Sequence, residues 1–318
     1  MDNENTAVLL LSHGSSLSYA KKVFTEICDK FINKTGLDSE VGYMKVSNPT
    51  VSQAVHILNN RNPNLDHIIA VPVFLADGIH TTIDIPIMLG KEPLNADPRL
   101  KNPNSKIDYL ENLEEINFNG QIDLIRPIGP NPKLIDIINN RVESSLSESK
   151  LPNNTNTGVL LICHGSRLKY NEEFISNLHI QYAKQSKYIS NFGFMELVEP
   201  DIPTSANNLI EKGINRLVVV PVFIAPGIHT KIDIKTILGL IHEEDHDKKV
   251  QKKSNNNTSS QNISIGQIIL EKDSDHEHKY DETLEFDGEI LYSNPIGADD
   301  ILIDILDEMV QNALVNID

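Results

Sequence analysis

Three residues in the second half of the chain have the types and spacing for metal and proton chemistry. His164 follows the apolar run Gly158 to Cys163, His229 lies in the loop after the run Leu217 to Phe223, and Glu196 ends the GFMEL segment between them. Two neutral imidazoles and a carboxylate on one rim suit a divalent first-row ion such as Co2+, Ni2+, Fe2+ or Zn2+. The same groups take up protons near neutral pH. The first half supplies the histidines again, as His13 and His80, but has Lys45 in place of Glu196 and Asn48 in place of Glu199. An ammonium group binds no metal unless deprotonated, and it repels a cation. The complete site is therefore expected in the second half, with His13 and His80 as weaker metal candidates.

A single histidine in a loop is more often a cap than a ligand. Here the pattern occurs twice. His-Gly-Ser stands at 13–15 and 164–166, and Gly-Ile-His at 78–80 and 227–229. From Val71 on Val220 through Gly90 on Gly239, 14 of 20 positions are identical. The spacing is kept as well: His13 to Lys45 and His164 to Glu196 both span 32 residues, and the paired histidines are 67 and 65 apart. Gly14, Ser15, Gly165 and Ser166 stand between a strand and a helix, where small side chains admit a ligand to the backbone and a helix N-terminus favours anions. Gly78 and Gly227 open the histidine loops, and Arg167 and Lys169 begin the helix after Gly165-Ser166. These positions are the expected substrate contacts. There is neither a G-x-G-x-x-G pattern nor a P-loop, so no nucleotide is expected.

The elements that must position these residues are legible. Continuous apolar runs of strand length, such as AVLLLS and GVLLIC, alternate with helical periodicity. That alternation implies parallel sheets covered on both faces. Right-handed crossovers place all the strand ends on one edge, where ligands of such sheets bind. The fold class is α/β: two similar flavodoxin-like domains, each a parallel sheet of about four strands flanked by helices, facing across a cleft. The repeats are placed at 1–146 and 158–318, joined by a polar linker at 147–157. Residues 242–282 form a low-complexity insert in the second repeat, in which His242, His246, His276 and His278 could hold metal loosely.

At 318 residues and 39% hydrophobic composition, the chain can bury a core in each of two domains. The net charge of −17 argues against a nucleic-acid partner. No apolar run reaches the roughly 18–20 residues of a membrane span, and no signal peptide is visible. Two cysteines, Cys28 and Cys163, make no disulfide framework and fit a cytoplasmic location. Cys163, beside His164, reads as a buried small residue rather than a ligand.

The segments LLICHGSRLKYNEEF, GFMELVEPDIPT and VVVPVFIAPGIHTKIDIKTILG resemble the small archaeal sirohydrochlorin chelatases. The resemblance covers 158–240 and 287–315, and more loosely 7–90 and 122–146. It implies a lyase-class enzyme that inserts Co2+ or Ni2+ into sirohydrochlorin, on the way to cobalamin or coenzyme F430. Iron insertion for sirohaem, or metal or tetrapyrrole delivery without turnover, are the other outcomes. It places the two histidines and the strand-end glutamate at His164, His229 and Glu196, with no organic cofactor. Small family members are homodimers of one domain, so a fused pair is expected to work as a monomer or a homodimer.

Overall fold

The computed structural model describes residues 5–101, 113–166, 168–241 and 283–315. Each half contains one four-stranded sheet in which every pair is parallel. In the first half the strands are β1 (Thr6–Ser12), β2 (Ser39–Tyr43), β3 (His67–Pro72) and β4 (Gln121–Leu124), in the order β2-β1-β3-β4. In the second they are β5 (Thr157–Cys163), β6 (Ile189–Phe194), β7 (Arg216–Pro221) and β8 (Glu289–Tyr292), in the order β6-β5-β7-β8. The shared order is the structural form of the sequence repeat.

The central strands are apolar through their interiors because both faces are covered. In β1, Val8 and Leu10 point into the middle of the molecule, and Ala7, Leu9 and Leu11 point to the outer helices. In β5, Val159, Leu161 and Cys163 point inward and Leu160 and Ile162 outward. This is the period-two alternation of a strand, with a hydrophobic layer on each side.

The outer layers are α2 (Val51–Arg61) and α3 (Ile85–Met88) on the first sheet, with α6 (Ile202–Ile210) and α7 (Ile234–Ile237) on the second. Each long outer helix begins with a side-chain cap. Thr50 closes a capping box with Gln53, and Asp201 accepts from Thr204 N at 2.7 Å.

Between the sheets lie four helices: α1 (Ser18–Thr35), α4 (Leu134–Ser147), α5 (Lys169–Gln185) and α8 (Asp300–Val315). Here the halves exchange elements. Helix α4, from the end of the first half, packs on β7 of the second sheet, and α8, from the end of the second, packs on β3 of the first. Both helices also contact each other, and one hydrophobic core runs from Val8 and Phe31 through Ile138 and Leu306 to Leu161 and Phe174. Ion pairs Lys30–Asp300 (2.8 Å), Lys34–Asp304 (2.7 Å) and Arg141–Asp299 (3.0 Å) flank it. The result is a five-layer α/β/α/β/α stack whose middle layer belongs to both halves. Among the described residues no helix is long and apolar enough to cross a membrane.

Candidate functional site

All the predicted site residues that are described follow the C-terminal ends of strands. His13 follows β1 and His164 follows β5 directly. His80 and His229 come after β3 and β7 and head two single turns of π-helix, His80–Asp84 and His229–Asp233. Such turns are rare and concentrate at functional sites. The fold brings the histidines together in pairs. The rings of His164 and His229 stand edge to face with centroids 4.8 Å apart, and those of His13 and His80 are also 4.8 Å apart.

The histidine orientations are fixed through Nδ1. His229 donates from Nδ1 to Asp233 Oδ2 at 2.8 Å, and His80 to Asp84 Oδ2 at 2.6 Å. His164 donates to Gly165 O at 3.1 Å and His13 to Gly14 O at 3.2 Å. A carbonyl only accepts, so Nδ1 carries the proton and Nε2 presents its lone pair. His164 Nε2 lies 3.3 Å from Glu196 Oε1. Two acceptors face each other there, and they are reconciled either by a proton, which makes an imidazolium, or by a cation.

Asp84 and Asp233, which hold the two histidines, are residues that the sequence reading passed over. Both are nearly or fully buried, at 0% and 2% exposure. A carboxylate behind a histidine fixes its tautomer and ring orientation. The signal was present as His-x-x-x-Asp in both HTTID and HTKID. The two are not equivalent, since Asp84 Oδ1 also accepts from Arg99 Nη2 at 2.5 Å.

Glu196 was expected at the end of its strand. It lies beyond it, because β6 stops at Phe194. Backbone bonds from Met195 N to Cys163 O (2.9 Å) and Glu196 N to His164 O (3.0 Å) continue the pairing and seat Glu196 beside His164. Gly165 makes this possible: at φ +99° a Cβ there would lie 1.9 Å from Glu196 O. Gly14 repeats the constraint at φ +88°, 1.8 Å from Lys45 O. The backbone that approaches these two glycines is therefore the chain's own. Gly78 and Gly227 differ, since a Cβ on either would meet nothing within 4 Å. Their N–H groups donate to Thr81 Oγ and Thr230 Oγ, each at 2.9 Å. Ser15 and Ser166 accept from Leu17 N and Leu168 N, both at 3.1 Å, and so shape the turns into α1 and α5.

The electrostatics separate the two rims. His13 is held down at about pKa 4, first by burial and then by the charges of Lys45 and His80, so it stays neutral. Burial drives the Cys163 thiol far up, which leaves it no role as a thiolate. The rims also join. Leu17 and Ile232 bury each other with Tyr19 and Ile228, and Lys231 Nζ sits 4.3 Å from the centre of the Tyr19 ring. The start of α1 in the first half thus abuts the His229 turn of the second. Arg167 and the insert 242–282, with its histidines, lie outside the described residues. Among the described residues no group of three or more His, Cys, Asp or Glu side chains is placed so that it could hold a metal ion, so His164, His229 and Glu196 do not form a three-ligand cluster in this structure.

A family model described as CbiX matches residues 7–145 and again 158–313. The chain belongs to the CbiX family. It carries two CbiX repeats in tandem. The sirohydrochlorin cobaltochelatase of Methanothermobacter thermautotrophicus is 36% identical over 157 residues, which is 49% of this chain and 92% of that protein. The enzyme of the same name from Methanocaldococcus jannaschii is 37% identical over 149 residues, 46% of this chain and 93% of its own length. Each of these relatives is thus matched nearly whole by about half of the present chain. Among solved structures, SirB from Bacillus subtilis with Fe3+ superposes with a TM-score of 0.60 at 14% identity, covering 96% of this chain and 94% of that one. The fold is therefore shared over nearly the whole of both chains.

Proposed function

We propose that the protein is a sirohydrochlorin chelatase whose working centre is His164, His229 and Glu196 of the second CbiX repeat, and that it inserts Co2+ or Ni2+. The observation that carries this is the apposition of His164 Nε2 and Glu196 Oε1 at 3.3 Å, beside an imidazole that Asp233 orients. Two acceptors placed so closely favour a cation between them. An ion that must leave into a macrocycle needs only a few open ligands, and His164 and Glu196 offer two of them.

Insertion replaces two pyrrole N–H protons by M2+. His229 is built to receive one, because the carboxylate of Asp233 on Nδ1 stabilises the imidazolium that forms when Nε2 is protonated. The His164–Glu196 pair can hold the other, shared across 3.3 Å, once the metal has moved to the macrocycle. The ammonium of Lys45 gives the first rim the opposite sign. That rim is the opposing wall of the cleft, and the chain works as a monomer or homodimer without an organic cofactor. The relatives named cobaltochelatases support cobalt, and imidazole with carboxylate also accepts nickel.

The test is turnover. Purified protein is mixed with sirohydrochlorin and Co2+, Ni2+ or Fe2+ in competition, and the absorbance of the metallated product is followed. We expect a rate above the uncatalysed control, with Co2+ or Ni2+ preferred over Fe2+. A rate equal to that control overturns the enzymatic reading and leaves a binding or delivery protein.

A further inference from the structure

Among the described residues, two non-glycine residues adopt a backbone conformation that their side chains disfavour, and they occupy the same place in the two repeats. Val46 has φ 54° and Leu197 has φ 71°. Each is the central residue of a γ-turn closed by an i to i+2 bond, Ser47 N to Lys45 O at 2.7 Å and Val198 N to Glu196 O at 2.9 Å. A γ-turn with positive central φ is rare and strained, and glycine, asparagine or aspartate would fill it at lower cost. The strain gains nothing in the core, because Val46 is 69% exposed and Leu197 53% exposed. The turns read Lys45-Val46-Ser47-Asn48 and Glu196-Leu197-Val198-Glu199. Charge changes at the first position and polarity at the third and fourth, while a branched apolar side chain stays at the strained position. Strain of this kind, held without a packing return, points to a functional contact.

We propose that Leu197 is a substrate-positioning residue, the apolar contact on which the face of the tetrapyrrole rests beside the metal ligands. This rests on the chelatase reading above. Leu197 is the next residue after Glu196 and its side chain is exposed, so an apolar surface borders the residue that faces His164. A hydrated metal ion has no use for a leucine. A carboxylate-rich ligand without an apolar face would be repelled by Glu196 and Glu199 and would gain nothing from Leu197. A conjugated macrocycle that carries its carboxylates at the periphery has both an apolar face for Leu197 and ring nitrogens for the histidines. Val46 presents the equivalent side chain on the opposing rim.

Two substitutions test the contact in the full-length chain. Asparagine tolerates the left-handed region, so Leu197→Asn keeps the turn and removes only the apolar surface. Leu197→Met restores that surface without branching. Binding of metal-free sirohydrochlorin is measured by absorbance titration, Co2+ binding without macrocycle by calorimetry, and folding by thermal melting. We expect L197N to bind sirohydrochlorin roughly 5- to 10-fold more weakly, as loss of a half-exposed leucine contact implies. Its Co2+ affinity should stay within about twofold and its melting temperature should not fall. L197M should bind like the wild type. Wild-type affinity in L197N, or equal weakening in L197M and L197N, overturns the contact, and so does a parallel loss of Co2+ affinity. Wild-type protein that does not bind sirohydrochlorin at all overturns the chelatase reading itself, and that loss precedes any substitution.

Discussion

The two rims are built on the same frame and carry opposite chemistry. In the second, Glu196 Oε1 stands 3.3 Å from His164 Nε2, and Asp233 holds His229. In the first, the histidine pair has the same 4.8 Å separation and the same carboxylate on the helix turn, but Lys45 takes the glutamate's place. The frame is set by backbone: a strand end, a glycine that lets two loops touch, and a π-turn that presents a histidine. The chemistry is set by one residue beyond the frame. The comparison teaches that duplicated geometry does not carry duplicated charge. A single position gives one rim a carboxylate and the other an ammonium, and the frame still needs both copies because the central helices are exchanged.

The comparison is broken most severely by making the second rim resemble the first. Glu196→Lys should lower kcat/KM for metal insertion on the order of 100-fold or more, since it removes an acceptor and adds a repelling charge where the ion sits. Its far-UV spectrum and melting temperature should remain near wild type, because the side chain is at the edge of the fold. A loss below about tenfold would mean that Glu196 does not contact the ion.

The two buried aspartates sharpen the contrast next. Asp233→Asn should cost about 10- to 100-fold in turnover, by releasing the His229 tautomer. Asp84→Asn should act on stability instead, costing about 1–3 kcal/mol by weakening the buried pair with Arg99, which keeps only Asp97 as a charged partner. Activity assays beside urea denaturation check both. The same profile in both variants would erase the distinction between the rims.

The smallest effect is a pH slope. His13 has a folded pKa near 4, below its ordinary 6.5. Between those values the unfolded chain takes up a proton that the folded chain refuses, so stability falls as pH drops from about 6.5 to 4 and is unaffected above. The contribution is at most about 3 kcal/mol. His13→Gln should flatten that limb of the stability curve, and an unchanged slope would remove burial and Lys45 as its cause.

Much of this was legible in the residues. The doubled apolar runs gave both parallel sheets, and the matched spacing of His-Gly-Ser and Gly-Ile-His paired the histidines before any coordinates. What could not be read has physical reasons. The amphipathic patterns of residues 134–147 and 300–315 specify an apolar face but not whose sheet it covers, so the exchange of α4 and α8 was invisible. The π-turns at His80 and His229 leave no period of their own in so short a segment. The strained turns at Val46 and Leu197 oppose local preference, which is why Glu196 was placed on a strand that ends two residues earlier.

One measurement bears most directly on the difference between the rims. The double variants His164→Ala/His229→Ala and His13→Ala/His80→Ala are compared with wild type for Co2+ insertion into sirohydrochlorin, with melting temperatures as the control for folding. We expect the first to reduce insertion to the uncatalysed rate and the second to retain most of it. Equal losses in two folded proteins would contradict a single working rim and make both halves parts of one composite site.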